Sequence, residues 1–181
     1  MRYLNEMIKI VVILFFSIGL QAQLNNAVED TIYVDSSAYY PDIETVFPSL
    51  TILTPPTSFV RAQDFHGFID TSYASVIQFQ LFKHAPTPLF IESIGDTFYL
   101  ENQLTPIYDL PFTTSHGFEG KYFKCQRLVD ETMFNLYVVI VGDETQSLFL
   151  QAYYPALVEE EIEYGLIQSF QSIDLNRNDD E

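Results

Sequence analysis

Between Lys121 and Tyr154 three apolar runs follow one another with little between them: KYFKCQRLVD, MFNLYVVIV and SLFLQAYY, joined by DET and GDETQ. Links this short are turns, and the second opens with Gly142-Asp143, a frequent hairpin punctuation, so three antiparallel neighbours are expected. Phe134 to Val141 is apolar on both sides of the chain, which predicts a central strand covered on both faces.

The next segment has the period of a helix. Val158, Ile162, Leu166 and Phe170 recur at helical spacing, Ile173 continues the stripe, and Pro155 fixes the entry. Glu159, Glu160, Glu161 and Glu163 crowd the first turns, where acids interact favourably with the helix dipole by about 0.3–1 kcal/mol each, so this acidic cluster reads as structural. After Ile173, residues 174–181 are expected to form a disordered acidic tail.

Upstream, ASVIQFQLFK places Ile77, Phe79 and Leu81 on one face and Gln78 and Gln80 on the other, the alternation of a half-buried strand, with FHGFID as its expected partner. LTILTPPTSF reads as a short strand ended by Pro55 and Pro56. Residues Thr87 to Asn102 carry Leu89, Phe90, Ile94, Phe98 and Leu100 at the spacing of a short helix, with Gly95 as a breaking point. Gln103 to Phe118, with Pro106 and Pro111, reads as a strand fragment with a loop.

Met1 to Gln23 has the pattern of an export signal: Arg2 and Lys9 near a short polar start, then Ile10 to Leu20 as an apolar or small run, then Ala22. A run of this length suits a signal core of roughly 7–15 residues and falls short of the ~20 that span a bilayer. Cleavage is expected close to Ala22, leaving no stable membrane span, and no cysteine follows the run to carry a lipoprotein anchor. The expected organisation is a signal peptide (1–22), an acidic and aromatic N-terminal arm (23–48), one domain (49–173) and the tail, with the mature product periplasmic or secreted.

Removing the signal leaves six basic and 24 acidic side chains, a net charge of −18. Phosphate backbones are bound by clustered Lys and Arg, so nucleic acid is excluded as a natural partner, and the same field disfavours anionic membranes. A protein or peptide partner, cationic if the field steers it, fits this charge. Cys125 has no second cysteine to pair with and alternates with Phe123 on a strand, so it reads as a small buried hydrophobe.

The stretch VVIVGDETQSLFLQAYYPALVEEEIEYGLIQSF, with PPTSF, HGF and ASVIQFQ upstream, resembles the PsbP-like superfamily over about Thr51 to Ile173. That resemblance implies an α+β fold, a central and mostly antiparallel twisted sheet flanked by helices in an α/β sandwich. It also implies a non-enzymatic binding or adaptor module without a cofactor, and it transfers no site residue.

The residues themselves carry no catalytic signature. There is no G-x-S-x-G elbow, no HExxH and no EF-hand loop. Asp64 and His66 could place two ligands on one strand face, but a polar strand edge with His66 at a turn before Gly67 is the better reading. Two carboxylates arranged for glycoside cleavage are a three-dimensional matter. Among 16 Phe and 12 Tyr, the adjacent pairs Tyr39-Tyr40 and Tyr153-Tyr154 stand out, because neighbours in an extended chain point oppositely and one of each pair should face outward. Exposed tyrosines anchor interfaces, which makes these four the candidate partner-binding residues. The resulting expectation is an exported, non-catalytic module binding a protein or peptide through a sheet face or a groove between sheet and helix. A chaperone sheltering apolar client segments and a small exported hydrolase are the competing readings.

Overall fold

A computed structural model describes residues 44–178; the signal segment, most of the arm and the Tyr39-Tyr40 pair lie outside the described residues. The three runs form β6 (Glu119–Val129), β7 (Thr132–Gly142) and β8 (Gln146–Pro155), paired antiparallel from Glu119↔Gly142 to Val129↔Thr132 and from Phe134↔Pro155 to Gly142↔Ser147. The first hairpin turns at Asp130 and Glu131, whose φ values of 45° and 67° are the left-handed pair that a tight two-residue hairpin requires. At the second, the Asp143 carboxylate accepts from the Thr145 and Gln146 N–H groups at 2.6 and 3.0 Å. Burial opposes ionisation of Asp143, but these hydrogen bonds outweigh it and hold its carboxyl below the ordinary range.

The remaining strands are β1 (Glu44–Val46), β2 (Val60–Arg61), β3 (Gly67–Asp70), β4 (Ser75–Lys83) and β5 (Thr105–Thr113). The sheet runs β2-β3-β4-β8-β7-β6-β5, with β1 also on β4, and every pairing is antiparallel. Helices α1 (Thr87–Ser93) and α2 (Asp96–Glu101) follow β4, and α3 (Glu159–Gln171) follows β8. The chain is therefore the expected α+β sandwich.

Each face of the sheet buries its own apolar layer. On one, Ile162, Leu166 and Phe170 of α3 pack on Phe79, Val139 and Leu150 among others; on the second, Phe90, Ile94 and Phe98 pack on Phe82, Val138 and Phe149. Fully burying one such side chain is worth about 1.5–3 kcal/mol, so both layers contribute on the scale of the domain's whole stability. The double covering is why β7 is apolar on both sides.

Two local expectations are corrected, and the strand expected within Gln103–Phe118 is found, at nine residues. Leu50–Ile52 is a 3-10 turn rather than a strand, because this segment hydrogen-bonds the chain beyond α3 instead of the sheet: Asp174 N–H donates to the Ile52 carbonyl at 2.8 Å and Thr54 N–H to Ser172 Oγ at 2.8 Å. Gln103–Phe118 supplies a nine-residue strand, β5, whose edge position tolerates Pro106 and Pro111, with a register shift between Pro106 and Tyr108. Packing continues past Ile173, since Leu175 is 2% exposed within the core. The Thr87–Asn102 segment breaks at Gly95 into α1 and α2.

Candidate functional site

β8 pairs with β4 from Val76 to Lys83, so β1 and β3 lie end to end along the opposite edge of β4. Val46 pairs with Leu81 and Gly67 with Gln78, which leaves Phe79 and Gln80 with a strand neighbour on one side only. The gap has local causes. Pro48 has no N–H to donate, so β1 stops before it. β3 begins at Gly67, where an added Cβ would lie 2.0 Å from the Ile77 carbonyl oxygen, an approach open only to glycine.

An open, mostly apolar groove of about 970 Å³ lies at this gap. Its wall is the β2–β3 link from Arg61 to His66, Phe47 and Leu50 contribute from beyond β1, and Gln78 and Gln80 contribute from β4. Phe47 is 62% exposed, its ring 5.3 Å from that of His66, which meets Phe79 edge-on at 5.0 Å. Burial lowers the pKa of His66, the Pro48 carbonyl opposes that, and Arg61 reinforces it.

Gln78 is 1% exposed, and neither its amide nitrogen nor its amide oxygen has a hydrogen-bond partner. Its cross-strand neighbour Gln151 is 2% exposed with its amide nitrogen likewise unpartnered. An unsatisfied buried polar group costs about 1–3 kcal/mol, so this pair is a local liability within the sheet. The alternation reading placed Gln78 and Gln80 on a wet outer face; they are buried because both faces of β4 are covered. The signal available in the sequence was Phe82, which shares their face.

A second polar cluster joins α3 to the sheet. Lys124, its side chain 6% exposed, donates to Glu159 and Glu163, and Tyr137 donates to Glu163. Tyr108 and Tyr137 share a hydroxyl hydrogen bond of 2.9 Å, and Asn135 donates to Glu159 at 2.8 Å. Burial works against the charged form of Lys124, but the two carboxylates outweigh it and hold the ammonium more firmly than an ordinary lysine. Burial and the bond to Glu163 push the Tyr137 phenol well above its ordinary range. The charges and the Tyr108 and Tyr137 hydroxyls are satisfied within the cluster, so it acts as a clamp between helix and sheet, in keeping with a structural role for the acidic helix start.

Of the described candidate tyrosines, Tyr154 is fully buried beneath α3, with its ring 6.5 Å from Tyr137, and is unavailable to a partner. Tyr153 points to the opposite layer and is half-buried, its ring 6.5 Å from Phe134. The expected alternation holds, but neither direction leads to open solvent. Cys125 is fully buried, and burial pushes its thiol up to about 12. Asp64 and His66 both line the groove, and among the described residues no three His, Cys, Asp or Glu converge as metal ligands would. Among the described residues no helix is long and apolar enough to cross a membrane.

No protein-family model matches the sequence, and no curated protein matches it. Among solved structures, the fold is similar to that of LpqN from Mycobacterium tuberculosis, described as involved in cell envelope biogenesis. The TM-score is 0.55 and the identity 11%, over 77% of this chain and 95% of that one. A protein of unknown function from Pseudomonas aeruginosa, PA94, described as a putative regulator, aligns at a TM-score of 0.42 and 12% identity over 67% of this chain and 96% of that one. At such identities the likeness to LpqN is one of fold.

Proposed function

We propose that this chain is an exported, non-catalytic binding module of the cell envelope that receives a protein or peptide partner in the groove at the open edge of β4. The observation that carries this reading is the unpartnered, buried Gln78 amide beside an apolar groove, the usual make-up of a recognition site. The signal-like N-terminus, the resemblance to PsbP-like proteins and a fold shared with an envelope-biogenesis protein support an extracytoplasmic address. The net charge of −17 favours a cationic partner and opposes nucleic acid.

The groove changes where the partner is expected. Both faces of the inner strands are occupied by the molecule's own helices, so the contact is expected at the strand gap rather than on those faces or at the Tyr153-Tyr154 pair. The test is photocross-linking in intact cells, with a photoreactive phenylalanine in place of exposed Asp64 on the groove wall or of Leu157, 93% exposed near α3. An adduct with an envelope protein from position 64 and none from position 157 supports the reading. Adducts from 157 alone, or none from either, contradict it.

A further inference from the structure

We propose that the groove recognises the main chain of an extended, basic peptide segment, read by the Gln78 amide and anchored by one apolar side chain; this rests on the binding-module reading above. The chemistry of Gln78 is specific. Its side chain offers one acceptor and a donor group in one plane, both unpartnered, at a position 1% exposed. In an extended chain the N–H and C=O of one residue project to the same side, so a single bound residue can donate to the Gln78 oxygen and accept from its nitrogen. An ion or an acyl chain satisfies one of those atoms or neither, and a lone hydroxyl, which can bridge both, brings no apolar anchor for the groove.

The setting suits an extended ligand. Phe79 and Gln80 lack a strand neighbour on the groove side, and peptides commonly add to such open sheet edges through main-chain bonds. Phe47, Leu50 and Phe65 supply an apolar lining for one anchor side chain, and the −17 charge selects against acidic peptides. The Gln78 amide is shut off from bulk water, so entry displaces the Arg61–His66 wall. The β2 end of that wall is lightly held, while His66 at its other end packs on Phe47 and Phe79. β2 is a two-residue strand with both residues exposed, and the link closes on an Ala62 N–H to Gly67 carbonyl bond of 3.0 Å.

The test uses the full 181-residue chain labelled with nitrogen-15 and a pool of short peptides, each with one central Leu, Ile, Val or Phe flanked by Lys, Thr and Ser. The expected result is a shift of the Gln78 side-chain amide signal together with the Phe79 and Gly67 backbone signals. N-methylation of the central residue removes one donor, and Gln78→Met removes the reader. Each change weakens binding about tenfold, and the two together cost little more than either alone. An unmoved Gln78 signal, or equal affinity for the N-methylated pool, overturns the inference. So do the same shifts produced by a detergent acyl chain, or by concentrating the protein alone, when the peptides produce none. Cross-links from position 64 with an unmoved Gln78 signal would sink main-chain recognition while leaving the binding module standing.

Discussion

Tyr137, in the middle of β7, donates its hydroxyl hydrogen to Glu163 of α3, fixing the helix to the sheet through a polar contact within an aromatic layer. The same carboxylate accepts from Lys124, so one acid joins two strands to one helix. Helix burial alone would leave α3 free to slide along its apolar stripe. The clamp sets its register.

Removing the cation should therefore cost more than removing one acid. Lys124→Met leaves Glu159 and Glu163 facing each other with their charges uncompensated, and should destabilise by about 2–4 kcal/mol, tempered by the partial exposure of both acids. Glu163→Gln keeps a hydrogen-bond acceptor and leaves Lys124 paired with Glu159, and should cost about 1–2 kcal/mol. Urea denaturation at neutral pH measures both, and an equal or reversed order contradicts the clamp.

The clamp also fixes a pH dependence. Burial raises the pKa of Glu163, but bonds from Lys124 and Tyr137 outweigh it and leave the folded value below the ordinary one. A lowered folded pKa contributes stability that is present above the unfolded value, about 4.3 for Glu, and is lost as pH falls through the folded one. Urea midpoints between pH 6 and pH 3 should fall less steeply for Glu163→Gln than for the unsubstituted chain. Parallel slopes would show that Glu163 contributes nothing to this dependence.

Cys125 should be inert until the sheet opens. Its thiol is fully buried and held up to about 12, so little thiolate forms at pH 8 and no reagent reaches it. Modification by a thiol reagent should proceed at the rate of opening and accelerate with urea along the unfolding transition. Prompt reaction of the native chain would mean that the β6–β7 packing is loose.

Gln78 separates stability from function. Replacing a buried, unpartnered amide with an apolar side chain of similar size removes its desolvation penalty, so Gln78→Met should stabilise the unliganded protein by about 1–3 kcal/mol. A raised melting temperature together with weakened binding is the expected pair of results. A destabilised variant would show that the amide is satisfied in the folded protein.

The parts of this fold that could be read from sequence are those set by local chemistry. The two C-terminal hairpins follow from turn residues and short links, and α3 follows from its apolar period, because neither depends on distant residues. The groove does not have that property. It exists because β1 and β3 meet the same edge of β4 without meeting each other, a consequence of pairing between segments whose only local traces are Pro48 and Gly67. The alternation at Gln78-Gln80 and at Tyr153-Tyr154 was legible, but alternation says which residues share a face and not whether that face is wet. Nothing in the local sequence marks Lys124 as buried until its carboxylate partner, 35 residues onward, is seen at the start of the helix packed over it.

Hydrogen–deuterium exchange on the full chain, alone and with its cross-linked envelope partner, tests the central claim most directly. New protection should be confined to the Phe47–Leu50 segment, the β2–β3 hairpin and the Phe79-Gln80 stretch. Protection falling instead on Leu157 and Tyr164, at and along α3, with the β4 edge unchanged, would contradict it.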